Sequence, residues 1–79
     1  MLNIKKYKIR VNTGDNDVTT QFWFVHSGYA NISEEESDKA FDKAVKEFNH
    51  IYKDYGRFAT QAGVTKLFEA FGFMRTTAD

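Results

Sequence analysis

The sequence predicts a small α+β domain: an antiparallel sheet, made of a β-hairpin plus a third strand near the C-terminus, packed against two helices in the order β-β-α-α-β. Three observations predict it. Two stretches of strand character, IKKYKIRVN and TTQFWFVH, flank a short polar cluster, TGDNDV. Apolar residues then recur at three- and four-residue steps in two later segments, each followed by a glycine. The last stretch, FMRTT, returns to a β-branched, alternating pattern.

In residues 4–12, Tyr7, Ile9 and Val11 point one way and Lys6, Lys8 and Arg10 the other, which makes a half-buried strand with a cationic outer face. Gly14 in the following turn cluster can take positive φ without strain. The second strand sets Phe22, Trp23, Phe24 and Val25 side by side, so both of its faces must avoid water. If Val11 stands opposite Val18, then Thr20, Phe22, Phe24 and His26 share the core face, while Trp23 and Val25 land among the lysines. A slip of one residue exchanges the two sets. The expected register puts both phenylalanines under the helices and leaves Trp23 outside, within cation–π reach of Lys6 or Lys8.

Ser27-Gly28-Tyr29-Ala30-Asn31 reads as a connection. Ser33 and Glu36 form an S-x-x-E capping box, with Ile32 placed as its hydrophobic staple. Phe41, Ala44, Val45, Phe48, Ile51, Tyr52 and Tyr55 continue as one apolar stripe, and Gly56 is the expected terminator. Glu35–Lys39 and Asp42–Lys46 stand at the spacing of helix-surface ion pairs. A second helix over 60–71 follows from Val64, Leu67, Phe68 and Phe71, ending at Gly72. Gly63 disfavours a helix interior, so a start at Thr65 is the alternative. A two-stranded sheet is marginal alone, which favours FMRTT as the third strand.

The 79 residues suffice for one domain, 1–79, and a chain of this size buries only about 60% of its unfolded surface. With no cysteine, neither disulfides nor thiolate metal sites can add stability, and a reducing cytoplasm is the expected setting. The stabilising device is instead aromatic: eight Phe, four Tyr and one Trp, each able to bury roughly 150–250 Å². No apolar run reaches membrane-spanning length and the N-terminus lacks a signal-peptide core, so a soluble chain with no membrane partner is expected.

Net charge is zero but unevenly laid out. Lys5, Lys6, Lys8 and Arg10 dominate residues 1–13, while Asp15, Asp17, Glu34, Glu35, Glu36 and Asp38 fill 14–38 without a base. Zero net charge speaks against a dedicated nucleic-acid binder. Chemistry is equally sparse. His26 and His50 lack ligand spacing, and Asp54 beside His50 gives at most an incomplete metal site. The glycines are scattered rather than gathered into a phosphate loop, and no G-x-S-x-G elbow occurs. A pocket of ~300 Å³ is hard to enclose with so short a chain. The expectation is a non-enzymatic protein without cofactor or metal.

What remains is surface. Glu34, Glu35 and Glu36, with Asp38, serve the first turn of the helix, and a compatible reading makes them an acidic patch, extended by Asp15 and Asp17 if the hairpin turn lies near it, that docks on a basic surface or imitates phosphates. Trp23 with Lys6, Lys8 and Arg10 admits three readings: shelter by lysine stems and the third strand, cover by a second copy, or an anchor for another protein. The same cations beside an aromatic could serve single-stranded nucleic acid, but nothing beyond this strand supports that, and the preferred role is a charged outer sheet face whose lysines also protect the edge. FATQAGVTKLFEAF has helix-turn-helix spacing at Ala59, Gly63 and Val64, but Glu69 falls where that motif needs an apolar anchor. The preferred partner is therefore a protein or a protein–nucleic acid complex; a small DNA- or RNA-binding regulator, using the basic strand or the 60–71 helix, is the alternative. In size, charge segregation and β-β-α plan, the chain resembles small phage-encoded inhibitory proteins of the anti-CRISPR and host-polymerase-inhibitor type. The likeness extends to no particular residue. It implies stoichiometric blocking of a larger nucleic-acid-handling complex in the host cytoplasm.

Overall fold

The computed structural model describes residues 4–13, 19–54 and 59–77, with the backbone alone for Lys53 and Asp54. Its elements run β1 (Lys6–Asn12), β2 (Thr19–His26), α1 (Glu34–Asn49), a π-helical turn (His50–Asp54), α2 (Gln61–Ala70) and β3 (Phe73–Thr76). The sheet is antiparallel in the order β1-β2-β3, which places β2 at the centre. Both helices pack on one face of it, and the small α+β arrangement expected from the sequence is the one found.

The register pairs Val11 with Thr20, Ile9 with Phe22, Tyr7 with Phe24 and Lys8 with Trp23. Val11 therefore does not oppose Val18, which lies outside the described residues along with the rest of the turn, Gly14 included. The pairing differs from expectation by two residues. Because side chains alternate with a period of two, an even shift leaves each residue on its expected face. Tyr7, Ile9, Val11, Phe22 and Phe24 meet the helices; Lys6, Lys8, Arg10, Trp23 and Val25 do not.

The core is a chain of aromatic rings. Phe24 stacks on Phe68 of α2 at 4.5 Å, Tyr7 on Phe41 of α1 at 4.4 Å, and Phe73 meets Phe41 edge-on at 5.5 Å. Phe22, Phe24 and Phe68 are fully buried. Arg75 closes one margin: its guanidinium lies 4.6 Å over the Phe22 ring and donates to Gln61 Oε1 at 3.2 Å.

Both helix starts follow local rules. Ser33 Oγ accepts from Glu36 N–H at 3.1 Å, and Thr60 Oγ1 accepts from Gly63 N–H at 3.0 Å, so α2 begins before Gly63 rather than at Thr65. Helix α1 keeps regular geometry only to Asn49. The apolar stripe passes through the π turn at Ile51 and Tyr52, and the expected continuation at Tyr55 and Gly56 lies outside the described residues. Asp42 and Lys46 pair at 3.0 Å; among the described residues Glu35 and Lys39 form no ion pair. Gly72 ends α2 at φ 90°, and a Cβ there would stand 2.9 Å from His26 Nε2. His26 is thus wedged at the end of the sheet, its Nδ1 accepting from Gly28 N–H at 2.9 Å and its ring edge-on to Phe73.

Phe68 joins α2 to both α1 and the sheet, so its loss should be severe. Phe68→Ala is expected to cost about 3–5 kcal/mol, a large share of the stability of a small domain, and half-buried Phe71→Ala clearly less. Urea unfolding of the two variants checks the order.

Candidate functional site

The outer face of the sheet is built by strand alternation alone. Lys6, Lys8, Arg10 and Asn12 come from β1, Thr19, Gln21, Trp23 and Val25 from β2, and Met74 and Thr76 from β3. Lys8, Arg10, Asn12, Thr19, Gln21 and Met74 are exposed, and Met74 shows 41% of its surface. Among the described residues no carboxylate stands on this face. Every Asp and Glu among the described residues belongs to α1, the π turn or α2, so the outer sheet face carries cations alone, while the helical layer mixes the acids with Lys39, Lys43, Lys46 and Lys66. That separation creates a field across the domain despite its zero net charge.

Trp23 is half-buried, with Lys8 Nζ 5.5 Å from its ring centroid and Thr76 as its partner on β3. Of the two lysines within expected reach, Lys8 makes the cation–π contact. Lys6 does something else: its Nζ donates to Thr77 O at 2.9 Å, just past the end of β3. To reach from one edge strand to the other, its stem crosses β2 at the level of its pairing partner Val25. Val25 is only 4% exposed although no helix covers it. The run Phe22-Trp23-Phe24-Val25 is therefore covered from two sides: helices over the phenylalanines, lysine stems and β3 over the other two.

The acidic residues form a separate site. Lys5 shares the inward phase of β1 and reaches the start of α1, where Nζ meets Asp38 Oδ1 at 2.9 Å and Glu34 Oε1 at 3.5 Å. The Tyr7 hydroxyl bonds both the Asp38 carboxylate and Ser37 Oγ, the latter at 2.9 Å. Tyr7 has one phenolic proton, which goes to the carboxylate, while Ser37, 1% exposed, donates in return. The bond from Tyr7, followed by that from Lys5, lowers the Asp38 carboxyl below its ordinary value. Burial, then the bond to Asp38, raises the Tyr7 phenol, and the Asp38 bond raises Lys5. Glu34 and Asp38 thus fasten α1 to β1, while Glu35 is exposed beside them.

The fold brings Trp23, Lys6, Lys8 and Arg10 together and separates them from Glu34, Glu35 and Asp38, which lie on the helical layer. Asp15 and Asp17 are outside the described residues. Sequence reasoning missed Met74, Thr76 and Gln21 as members of the outer face; once Phe73 is taken as the inward residue of β3, alternation finds the first two. It also missed the tie from Lys5 and Tyr7 to Asp38, which joins residues 31 and more apart and leaves no local signal. Among the described residues no group of His, Asp or Glu is arranged to hold a metal. A charged depression lined by Asp38, Lys39, Asp42, Lys43 and Lys46 runs along α1 and is open to solvent. No helix among the described residues is long and apolar enough to cross a membrane.

The lowered Asp38 has a signed consequence. Its stabilising contribution is complete above the ordinary value of 3.8 and disappears as pH falls through the lower folded value. Asp38→Asn should therefore be less stable than wild type at neutral pH and lose less stability on acidification. Urea midpoints across that range read the difference.

Comparison with protein-family models, with curated proteins and with solved structures finds no match to this chain.

Proposed function

We propose that the protein is a non-enzymatic binding module that acts stoichiometrically by laying the outer face of its sheet on a larger protein or protein–nucleic acid complex. Blocking a nucleic-acid-handling machine, in the manner of the small phage-encoded inhibitors it resembles in plan, is the proposed mode of action. The observation that carries the reading is the outer face itself. It combines Trp23, Lys6, Lys8 and Arg10 with exposed Met74 and, among the described residues, bears no acid. Tryptophan and arginine are the residue types that most often dominate binding energy at interfaces, and a single-sign surface steers an oppositely charged partner toward itself.

The acidic cluster is the weaker docking candidate, because Glu34 and Asp38 already hold Lys5. A second reading, binding of single-stranded nucleic acid, draws on the same absence of carboxylates around a central-strand aromatic. Against it, Lys8 occupies one side of the Trp23 ring and the chain as a whole carries no positive excess. Helix α2 offers little to a DNA groove: Val64 and Phe68 are buried in the core, and its charged residues are one lysine and one glutamate.

Affinity capture with wild type and two charge reversals tests the proposal. Lys8→Glu/Arg10→Glu is expected to lose a specific partner identified by mass spectrometry, with circular dichroism unchanged, while Glu34→Lys/Glu35→Lys retains it. The reverse pattern would move the site to the helical layer. A steep, log-linear loss of binding to bare oligonucleotide as salt rises would favour the nucleic-acid reading instead.

A further inference from the structure

We propose that the partner contributes an extended acidic segment that adds to the sheet as a fourth strand along the edge of β1 that no described strand occupies. The inference rests on the outer-face reading and specifies how that face is used. Strand β1 pairs with β2 on one side only. Among the described residues, the other edge meets a single parallel bridge, from Thr13 to Ala59, which leaves Lys6–Arg10 unpaired. Every second residue of that stretch turns its N–H and C=O away from β2, and such a row is a template for another strand.

Charge decides which strand can use it. A second copy pairing β1 against β1 with the two outer faces on the same side, as a continuous helical layer requires, would set Lys6, Lys8 and Arg10 beside the same three cations in either direction. Like charges placed opposite one another weaken the pairing. The cations therefore disfavour the protein's own edge and favour one of opposite sign. An incoming strand with Asp or Glu at alternate positions, at the same two-residue pitch of about 6.8 Å, places one carboxylate beside Arg10 and the others beside the stems of Lys6 and Lys8, whose ammonium groups exchange Thr77 O and the Trp23 ring for them. Its intervening side chains fall on the inner face next to Ile9, which is half-buried at the margin of the core and gains cover from apolar neighbours. The preferred sequence is thus an acidic–apolar alternation. The β3 edge is a poorer template: the strand has only four residues.

The test uses the full chain, isotope-labelled, and a synthetic peptide of about ten residues alternating glutamate and valine. Binding is expected to shift amide resonances of β1 and to slow amide exchange along Lys6–Arg10 about tenfold. Lys8→Glu/Arg10→Glu is expected to weaken the peptide about tenfold. The lysine–valine peptide should not bind, nor should a glutamate–valine peptide N-methylated along one edge, which keeps the charge and removes the backbone donors. Equal binding of the N-methylated peptide, protection confined to β3, or binding of oligothymidylate alone would each overturn the inference, as would no binding by the glutamate–valine peptide. The two readings fail separately. If Lys8→Glu/Arg10→Glu releases a captured partner that leaves the β1 amides unprotected, the outer face stands as the site and strand addition does not.

Discussion

A 79-residue chain without cysteine can build one buried layer, and everything else about this protein follows from where that layer lies. It lies between the sheet and the helices, filled by Phe22, Phe24, Phe41, Phe68 and Phe73 in ring-to-ring contact. Among the described residues no helix lies on the other side of the sheet. The central strand nevertheless carries large apolar residues on both faces, so Trp23 and Val25 have to be covered by what the strands themselves supply. Lysine does this well. Its methylene stem packs against the sheet while its ammonium finds the Thr77 carbonyl or the Trp23 ring.

That solution has an electrostatic by-product. Lysines chosen to cover an open sheet make it cationic, and the acids are displaced to the helices, where Glu34, Glu35 and Glu36 also suit the first turn of α1. The two layers are fastened across this divide at one corner, where Lys5 and Tyr7 of the β1 region hold Asp38 of α1. The features that complete the fold and those proposed to engage a partner are thus largely the same residues. A face covered by lysine stems rather than by a packed element can be uncovered again when a better-fitting surface arrives.

Most of the architecture was legible in the sequence because it depends on local or periodic signals. The Ser33 cap, the stripe through Phe41, Ala44 and Phe48, the inward pair Phe22 and Phe24 and the third strand could each be read from a few neighbouring residues. Pairing register could not: the hydrophobic alternation distinguishes odd from even shifts, and Val11 opposite Thr20 is as compatible with it as Val11 opposite Val18. The switch to π geometry after Asn49 leaves no mark on the apolar stripe, which continues through it. The acidic cluster looked like a single feature because its residues are adjacent in the chain. Only the tertiary fold divides it into Glu34 and Asp38, which face Lys5, and Glu35, which does not.

The single tryptophan makes the central claim measurable without knowing any partner. If Trp23 lies half-exposed on a sheet face that only lysine stems cover, its fluorescence at low ionic strength should be quenched far more by iodide than by caesium, and added salt should narrow the gap. Weak quenching by both ions would mean that Trp23 is enclosed, and stronger quenching by caesium would mean an acidic setting. Either result would contradict an open cationic face.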